Sequence, residues 1–389
     1  MHTPRLFALL VPFAVGVIGA CGSNSSTNTP GGDAGADSKR PFGQLAPELG
    51  SGDHTPGSVT FTEIANADAR LNKPRDLAFN TRRPDELWVV NWKDDSMVII
   101  TDASTEGRTT ERRKDSNANH FMEEPAAIAF GADETTIGLP GTFATCGESR
   151  NTYDGQADPN DFMGPVLWSS DLTVFAKKNP YGLGSHLDML HNTPLCMGIA
   201  HEANNRFWVF GGLKNSIDRY DFALDHHIGQ DDHSDGESLQ YVTGQVKYKP
   251  GVASHVFYNH SDKMLYIADS GNGRVVKLDT TTGTLGADVP PKEHMGISAE
   301  MDNAVLHDIV PKDSGMVTTP SGIEVWKGHV YVSDYTTGRI SAFTLDGERV
   351  NYIDTGLAEG SLGGMAFGPD GKLYFVDTIG NRVLRIDVP

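Results

Sequence analysis

The chain is short of positive charge. Its 389 residues carry 32 Lys and Arg against 51 Asp and Glu, a formal net charge of −19. Binding a phosphate backbone needs a basic surface, so nucleic acid is excluded as a partner. The acidic balance suits a soluble extracytoplasmic protein and the company of divalent cations. Several catalytic signatures are also missing. There is no GxSxG elbow, no phosphate-cradling GxxxxGK[ST] loop and no GxGxxG. Neither HExxH nor a paired CxxC occurs, so no local spacing announces a metal. Cysteine is scarce, with three in all.

Long hydrophobic runs are lacking too. The most apolar stretch, residues 6–18, follows Arg5 and ends in Gly19-Ala20-Cys21. It is too short for a permanent bilayer-spanning helix, and its small-residue end reads as an export signal over residues 1–20. Ile18-Gly19-Ala20-Cys21 resembles the lipobox of bacterial lipoproteins. That resemblance implies that Cys21 is acylated and becomes the mature N-terminus, anchoring the protein to a membrane. With Gly22 rather than Asp after the cysteine, Gram-negative sorting favours the outer membrane. The other reading is a secreted protein with a coincidental cysteine. Residues 21–57 are rich in Ser, Asn, Thr, Gly, Pro and Asp without apolar periodicity, and read as the acylated Cys and a flexible tether. The folded domain is expected over residues 58–389. Its two cysteines, Cys146 and Cys196, are an even pair for an oxidising compartment and are expected to be bridged, two buried thiols being the alternative.

What the chain does have is one repeated phrase. Residues 265–278 read LYIADSGNGRVVKL, 330–343 VYVSDYTTGRISAF and 373–386 LYFVDTIGNRVLRI. Each is an alternating strand, an Asp-led turn with Gly or Asn, and an Arg opening a second strand. Aligned on the preceding apolar strand, the anchors are Leu77, Ile128, Ile199, Val256, Ile323 and Met365, at intervals of 51, 71, 57, 67 and 42. A bare unit near 42 residues, with loops making up the excess, points to an all-β, six-bladed β-propeller. After Met365 only three strands fit before Pro389. The segment VTFTEI at 59–64 is expected to supply the fourth, so that the N-terminal strand closes the last blade.

The pattern of Pro320-Ser321-Gly322-Ile323 followed by residues 330–343 resembles the NHL-repeat propellers, as do Asp269, Asn272, Arg274 and Asp377, Asn381, Arg382. Blades 1 to 3 depart from it at Asn91-Trp92, at residues 144–146 and at Gly211-Gly212. The resemblance implies fold rather than activity, because the family holds both enzymes and binding modules. Its repeat Asp and Arg read as turn and pairing residues.

Departures from the repeat at the channel mouth are the candidate site. His255 stands where other blades carry Gly198, Gly322, Gly364, Asp76 or Ala127. His307 precedes blade 5, and the entry to blade 3 carries His186, Asp188 and His191. Loops from three blade junctions could bring His186 or His191, His255 and His307 together, a set suited to Zn²⁺ or Cu²⁺. The alternative is separate hydrogen-bonded histidines. This arrangement is similar to the peptidyl-hydroxyglycine amidating lyases, which hold a His-bound metal over the channel. The resemblance implies catalytic roles for His255, for Tyr335 after Asp334, and for Arg75 as a cation; the paired cysteines of those lyases are absent. Gluconolactonase-type propellers suggest a lactonase-like set of Glu148, Asp188 and Asp269, which the spacing does not select.

Two loops remain. DHHIGQDDHSDGE at 225–237 resembles an acidic cation loop, with Asp231, Asp232, Asp235 and Glu237 as candidate carboxylates for Ca²⁺ or Zn²⁺, Asp231 and Asp235 foremost; a solvated acidic loop is the alternative. The blade 2 insertion at 147–165 leads into FMGPVLW at 162–168 and reads as a lid, a binding loop or a cover for the side of the ring. Two functions stay open: a metal-dependent lyase or lactonase, or a non-catalytic module binding a small molecule, peptide, glycan or protein. An enzyme would gather at least two of His191, His255 and His307. A binding module would have its channel plugged, with these histidines bonded to backbone.

Overall fold

The computed structural model describes residues 45–151, 158–178 and 182–389. Cys21, the export signal and most of the expected tether lie outside the described residues. Among the described residues no helix is long and apolar enough to cross a membrane.

Six antiparallel blades form the ring. Blade 1 runs Pro74–Phe79, Leu87–Asn91, Ser96–Thr101 and Thr109–Arg113, and blade 2 Pro125–Phe130, Thr142–Gly147, Val166–Ser169 and His186–Met189. Blade 3 comprises Cys196–Ala203, Arg206–Gly211, Ser216–Asp221 and Glu237–Tyr241. Blade 4 is built from Val256–Asn259, Met264–Asp269, Arg274–Asp279 and Val305–Val310. Blade 5 follows with Pro320–Trp326, His329–Asp334, Arg339–Thr344 and Arg349–Asp354. Blade 6 takes Leu362–Phe367, Leu373–Asp377 and Arg382–Asp387 from the C-terminus, and Thr60–Ala65 pairs antiparallel with the last of these from Thr60↔Asp387 to Ala65↔Val383. The expected closure is therefore present, and the first strand of each blade packs against its neighbours around the axis.

Alternation builds the core because both faces of each blade meet another blade. One residue before the anchor's partner on the second strand, five blades carry an aromatic ring: Trp88, Trp208, Tyr266, Tyr331 and Tyr374, all at most 1% exposed. The rings cross blade boundaries edge to face, as Trp88 does with Phe130, Tyr331 with Phe367 and Tyr374 with Phe79. The tyrosine hydroxyls that reach the rim find acceptors in Asp262, Glu48 and Asp370. The repeat Asp and Arg are structural. Asp269 accepts from Lys247 N at 2.8 Å and from Arg274 Nε at 2.8 Å, and Asp377 accepts from Gly380 N and from Arg382.

Two features were not anticipated. The packed chain begins well before residue 58. Ala46 and Leu49 are buried against blades 5 and 6, Asn351 donates to Ala46 O and Gly50 O, and the His54 ring stacks on Tyr352 at 3.9 Å. The excess length in blade 4 is a hairpin, Thr284–Asp288 with Ile297–Asp302, that leaves its own blade. Its second strand runs parallel to Glu237–Tyr241 and extends blade 3 to six strands. The edge of blade 3 is thereby covered, a recurrent way to blunt an exposed strand. The Cys146–Cys196 disulfide is formed, joining the second strand of blade 2 to the inner strand of blade 3 with Cα atoms 5.3 Å apart.

Candidate functional site

The channel axis is plugged by two side chains that the glycines of other blades make room for. A Cβ at Gly364 would lie 1.9 Å from Asp76 Oδ1 and 2.8 Å from His255 Cε1. Asp76 accepts from Leu77 N at 2.8 Å and from Ile128 N at 2.9 Å. His255 Nε2 donates to Ala126 O at 3.0 Å, and its Nδ1 lies 3.6 Å from Asp76 Oδ1. Burial pushes the Asp76 carboxyl above its ordinary range, against the pull of His255 and the two N–H groups. Behind the plug a cavity of about 370 Å³ is lined by the inner strands of all six blades and holds Glu324, whose carboxyl is pushed well up by enclosure and by Asp76.

The expected three-imidazole mouth is not formed. His255 Nε2 is bonded to backbone, and its Nδ1 faces Asp76 with no second imidazole beside it. His307 is exposed on the outermost strand of blade 4, opposite Lys277. His186 and His191 belong to the outer edge of blade 2. The histidines differ in radial position: His255 enters an inner strand beside the axis, whereas His186, His191 and His307 lie on or next to outer strands at the rim. A metal at the channel mouth, as the amidating lyases would imply, does not fit these residues.

The mouth instead holds cations and rings. A cavity of about 380 Å³ is lined by Lys73, Arg75, Trp92, Tyr335, Glu359 and Thr378 among others. Arg75 and Tyr335 line this cavity together, without His255. Arg75 Nη1 donates to Gly251 O at 2.7 Å, Nη2 lies 3.5 Å from Glu148 Oε2, and the guanidinium sits 4.9 Å from the Trp92 ring centre. Glu148 Oε1 accepts from Gly251 N at 2.6 Å and from the Tyr248 hydroxyl at 2.5 Å. Burial lowers the Arg75 pKa, while Glu148 works to raise it. Glu124 nearby is pushed up to about 7 by burial first and then by Glu148, Glu123 and Asp95. Two buried donors here, Arg75 Nε and Trp92 Nε1, have no acceptor in the protein. Glu148, Asp188 and Asp269 are dispersed to the mouth, the blade 2 edge and a blade 4 turn, so the lactonase-like set does not assemble.

The other expected residues meet at the blade 2 edge. His186, His191 and Asp231 line one cavity of about 440 Å³ with Phe121, Phe162 and His233. Phe162, from the blade 2 insertion, stacks on His191 at 3.6 Å between ring centres; residues 152–157 of that insertion lie outside the described residues. His186 is stacked on Phe121 at 3.7 Å, and burial first, then His226, takes its pKa well below the usual value. The acidic loop does not gather carboxylates for Ca²⁺. Asp235 accepts from Leu224 N at 3.1 Å and Asp232 caps Ser234, each folding its own turn. Among the described residues the groups spaced to hold a metal are Asp188, His226, His233 and His191, His233, Glu293. Sequence reasoning passed over Trp92, Tyr248, His226, His233 and Glu293. The two histidines stood inside the acidic loop but were outweighed by its carboxylates. Glu293 had one trace, the 67-residue interval that contains its hairpin.

No protein-family model matches the chain, and no curated protein matches it. Solved structures do. An auxiliary nutrient binding protein from Bacteroides ovatus is 13% identical over 81% of this chain and 69% of its own, with a TM-score of 0.51. A catalytically inactive virginiamycin B lyase from Staphylococcus aureus with quinupristin is 12% identical over 84% of this chain and 85% of its own, TM-score 0.47. A nidogen/laminin complex is 11% identical over 73% and 80%, TM-score 0.46. At such identities the likeness speaks for the fold alone, and this chain is an all-β, six-bladed propeller of a remote kind.

Proposed function

We propose that this protein is a binding propeller, held by a lipid on Cys21 on the extracytoplasmic side, whose channel mouth takes a small anionic ligand. The gathering of Lys73, Arg75, Trp92 and Tyr335 around one cavity carries the reading. Lys73 and Arg75 supply positive charge in a chain of net charge −19, and the Trp92 and Tyr335 rings supply flat surface for a sugar or aromatic face. The plugged channel and the backbone bond of His255 agree with binding rather than metal chemistry on the axis. The nutrient binding neighbour is in keeping with this reading.

Glucuronate is the probe and glucose its neutral counterpart, followed by calorimetry and by Trp92 fluorescence. Glucuronate is expected to bind and glucose to bind at least tenfold more weakly. Arg75→Ala should weaken glucuronate at least tenfold, about 1.4 kcal/mol. Affinity should fall as pH rises through about 7, where Glu124 gains its charge near Arg75. If glucuronate, citrate and phosphate all fail to bind, or Arg75→Ala leaves their affinity unchanged, the reading is wrong. Cys21→Ala is expected to move the protein from the membrane to the soluble fraction. A second reading is favoured by Arg75 and Tyr335 sharing one cavity: a lyase with Tyr335 as its proton-transfer group. Turnover of the bound ligand that Tyr335→Phe abolishes, with binding kept, would favour it.

A further inference from the structure

At the rim between blades 2 and 3, two separate segments bring three side chains to one buried point. Asp188 comes from the outer strand of blade 2, and His226 and His233 from the loop after blade 3's third strand. The Asp188 side chain is 0% exposed and that of His226 1%. His233 Nδ1 lies 2.9 Å from Asp188 Oδ1, and His226 Nε2 lies 3.8 Å from the same oxygen. Asp188 Oδ2 and His226 Nε2 have no hydrogen-bond partner.

The tautomer of His226 follows from its other nitrogen. Nδ1 is 2.8 Å from His227 O and must donate, so neutral His226 presents a bare lone pair at Nε2. A lone pair facing a carboxylate, both buried, is repulsive unless a proton or a metal cation lies between them. On its far side His233 has a second carboxylate, with Nε2 3.7 Å from Glu293 Oε2. Glu293 is itself fixed, accepting from His191 N at 2.7 Å and from His191 Nδ1 at 2.9 Å. The placement resembles the carboxylate–imidazole pairing that orients metal-ligating histidines, at 3.7 Å rather than at hydrogen-bond distance.

We propose that Asp188, His226 Nε2 and His233 Nδ1 bind one divalent transition-metal ion of the zinc class, with Glu293 orienting His233 from behind. Two imidazoles and one carboxylate are zinc-type donors, and the paucity of oxygen ligands argues against Ca²⁺. Three protein donors leave a fourth position. His233 and Glu293 also line the 440 Å³ cavity, which gives the ion a way in.

The experiment uses the full chain, stripped with EDTA and titrated with ZnCl₂. One equivalent should bind, and the melting temperature should rise. His226→Ala with His233→Ala should weaken zinc at least 100-fold, and Glu293→Gln, which keeps the packing, 10–100-fold. His255→Ala should not change it. Failure of the folded wild type to bind stoichiometric zinc overturns the proposal. So does binding that survives the double substitution, or binding abolished by Glu293→Gln yet untouched by His226→Ala, which would put the ion on the His191 side. Glucuronate binding at the mouth is read separately, so either site can fail without the other.

Discussion

A chain that starts at residue 66 should lose most of its stability and aggregate. The strand Thr60–Ala65 is the outer strand of blade 6, and its loss leaves Arg382–Asp387 as a bare edge. Buried apolar contacts go with it. Ile64 is 5% exposed and packs with Leu77, Val98 and Val383, and Phe61 packs edge to face on Phe375. Two such side chains contribute about 1.5–3 kcal/mol each. The ladder hydrogen bonds add about 1 kcal/mol apiece. Polar ties are cut as well: Arg108 donates to Ile64 O and Glu63 O, and Thr62 bonds Asp387. The sum exceeds about 5 kcal/mol, comparable to the whole stability of many domains. Urea unfolding of the truncated chain, beside a chain starting at residue 45, measures it. A midpoint within experimental error of the longer chain would show that closure by this strand is dispensable.

Replacing Cys146 and Cys196 by Ala should cost about 3–4 kcal/mol and make the protein insensitive to reductant. The bridge closes a loop of 50 residues, for which chain entropy alone gives roughly 4 kcal/mol. That loop contains the blade 2 insertion and the strand His186–Met189. Cross-linking blade 2 to blade 3 beside Ala127, Ile199 and Phe207 therefore restricts the segment that carries Asp188 and His191. The loss is read from denaturant midpoints with and without dithiothreitol. Equal midpoints for oxidised and reduced wild type would show that the bridge contributes nothing. Reduced wild type and the double variant should unfold alike, apart from the small cavities left where sulfur was removed.

Local pattern carried the architecture because a propeller repeats a short-range unit. Asp269 with Arg274 and Asp377 with Arg382 face each other across a hairpin of a few residues, so their spacing is visible along the chain. The interval of 42 residues counted the blades, and the shortage of strands after Met365 called for a partner from the N-terminus. The even cysteine pair was legible by arithmetic. The tether was overextended because Ala46, Leu49 and His54 lie in a segment without periodicity. They are held by single contacts to Asn351, Tyr352 and the blade 5 and 6 core, which no pattern announces.

The residues of the sites were partly legible and their grouping was not. Arg75 and Tyr335 were named and do share the mouth, whereas His255 was given to the same place and turned out to be a plug bonded to Asp76 and Ala126. By itself the sequence determined the sheet unit, its number and the way the ring closes, since all three follow from hydrogen-bonded neighbours a few residues apart or from counting strands. Only the tertiary structure decided which histidines meet. Asp188, His226 and His233 are brought together by a rim loop, and Glu293 reaches His233 from a hairpin that crosses from blade 4 to blade 3. That crossing is held by long-range packing, and one-dimensional spacing holds no information about the radius at which a side chain sits.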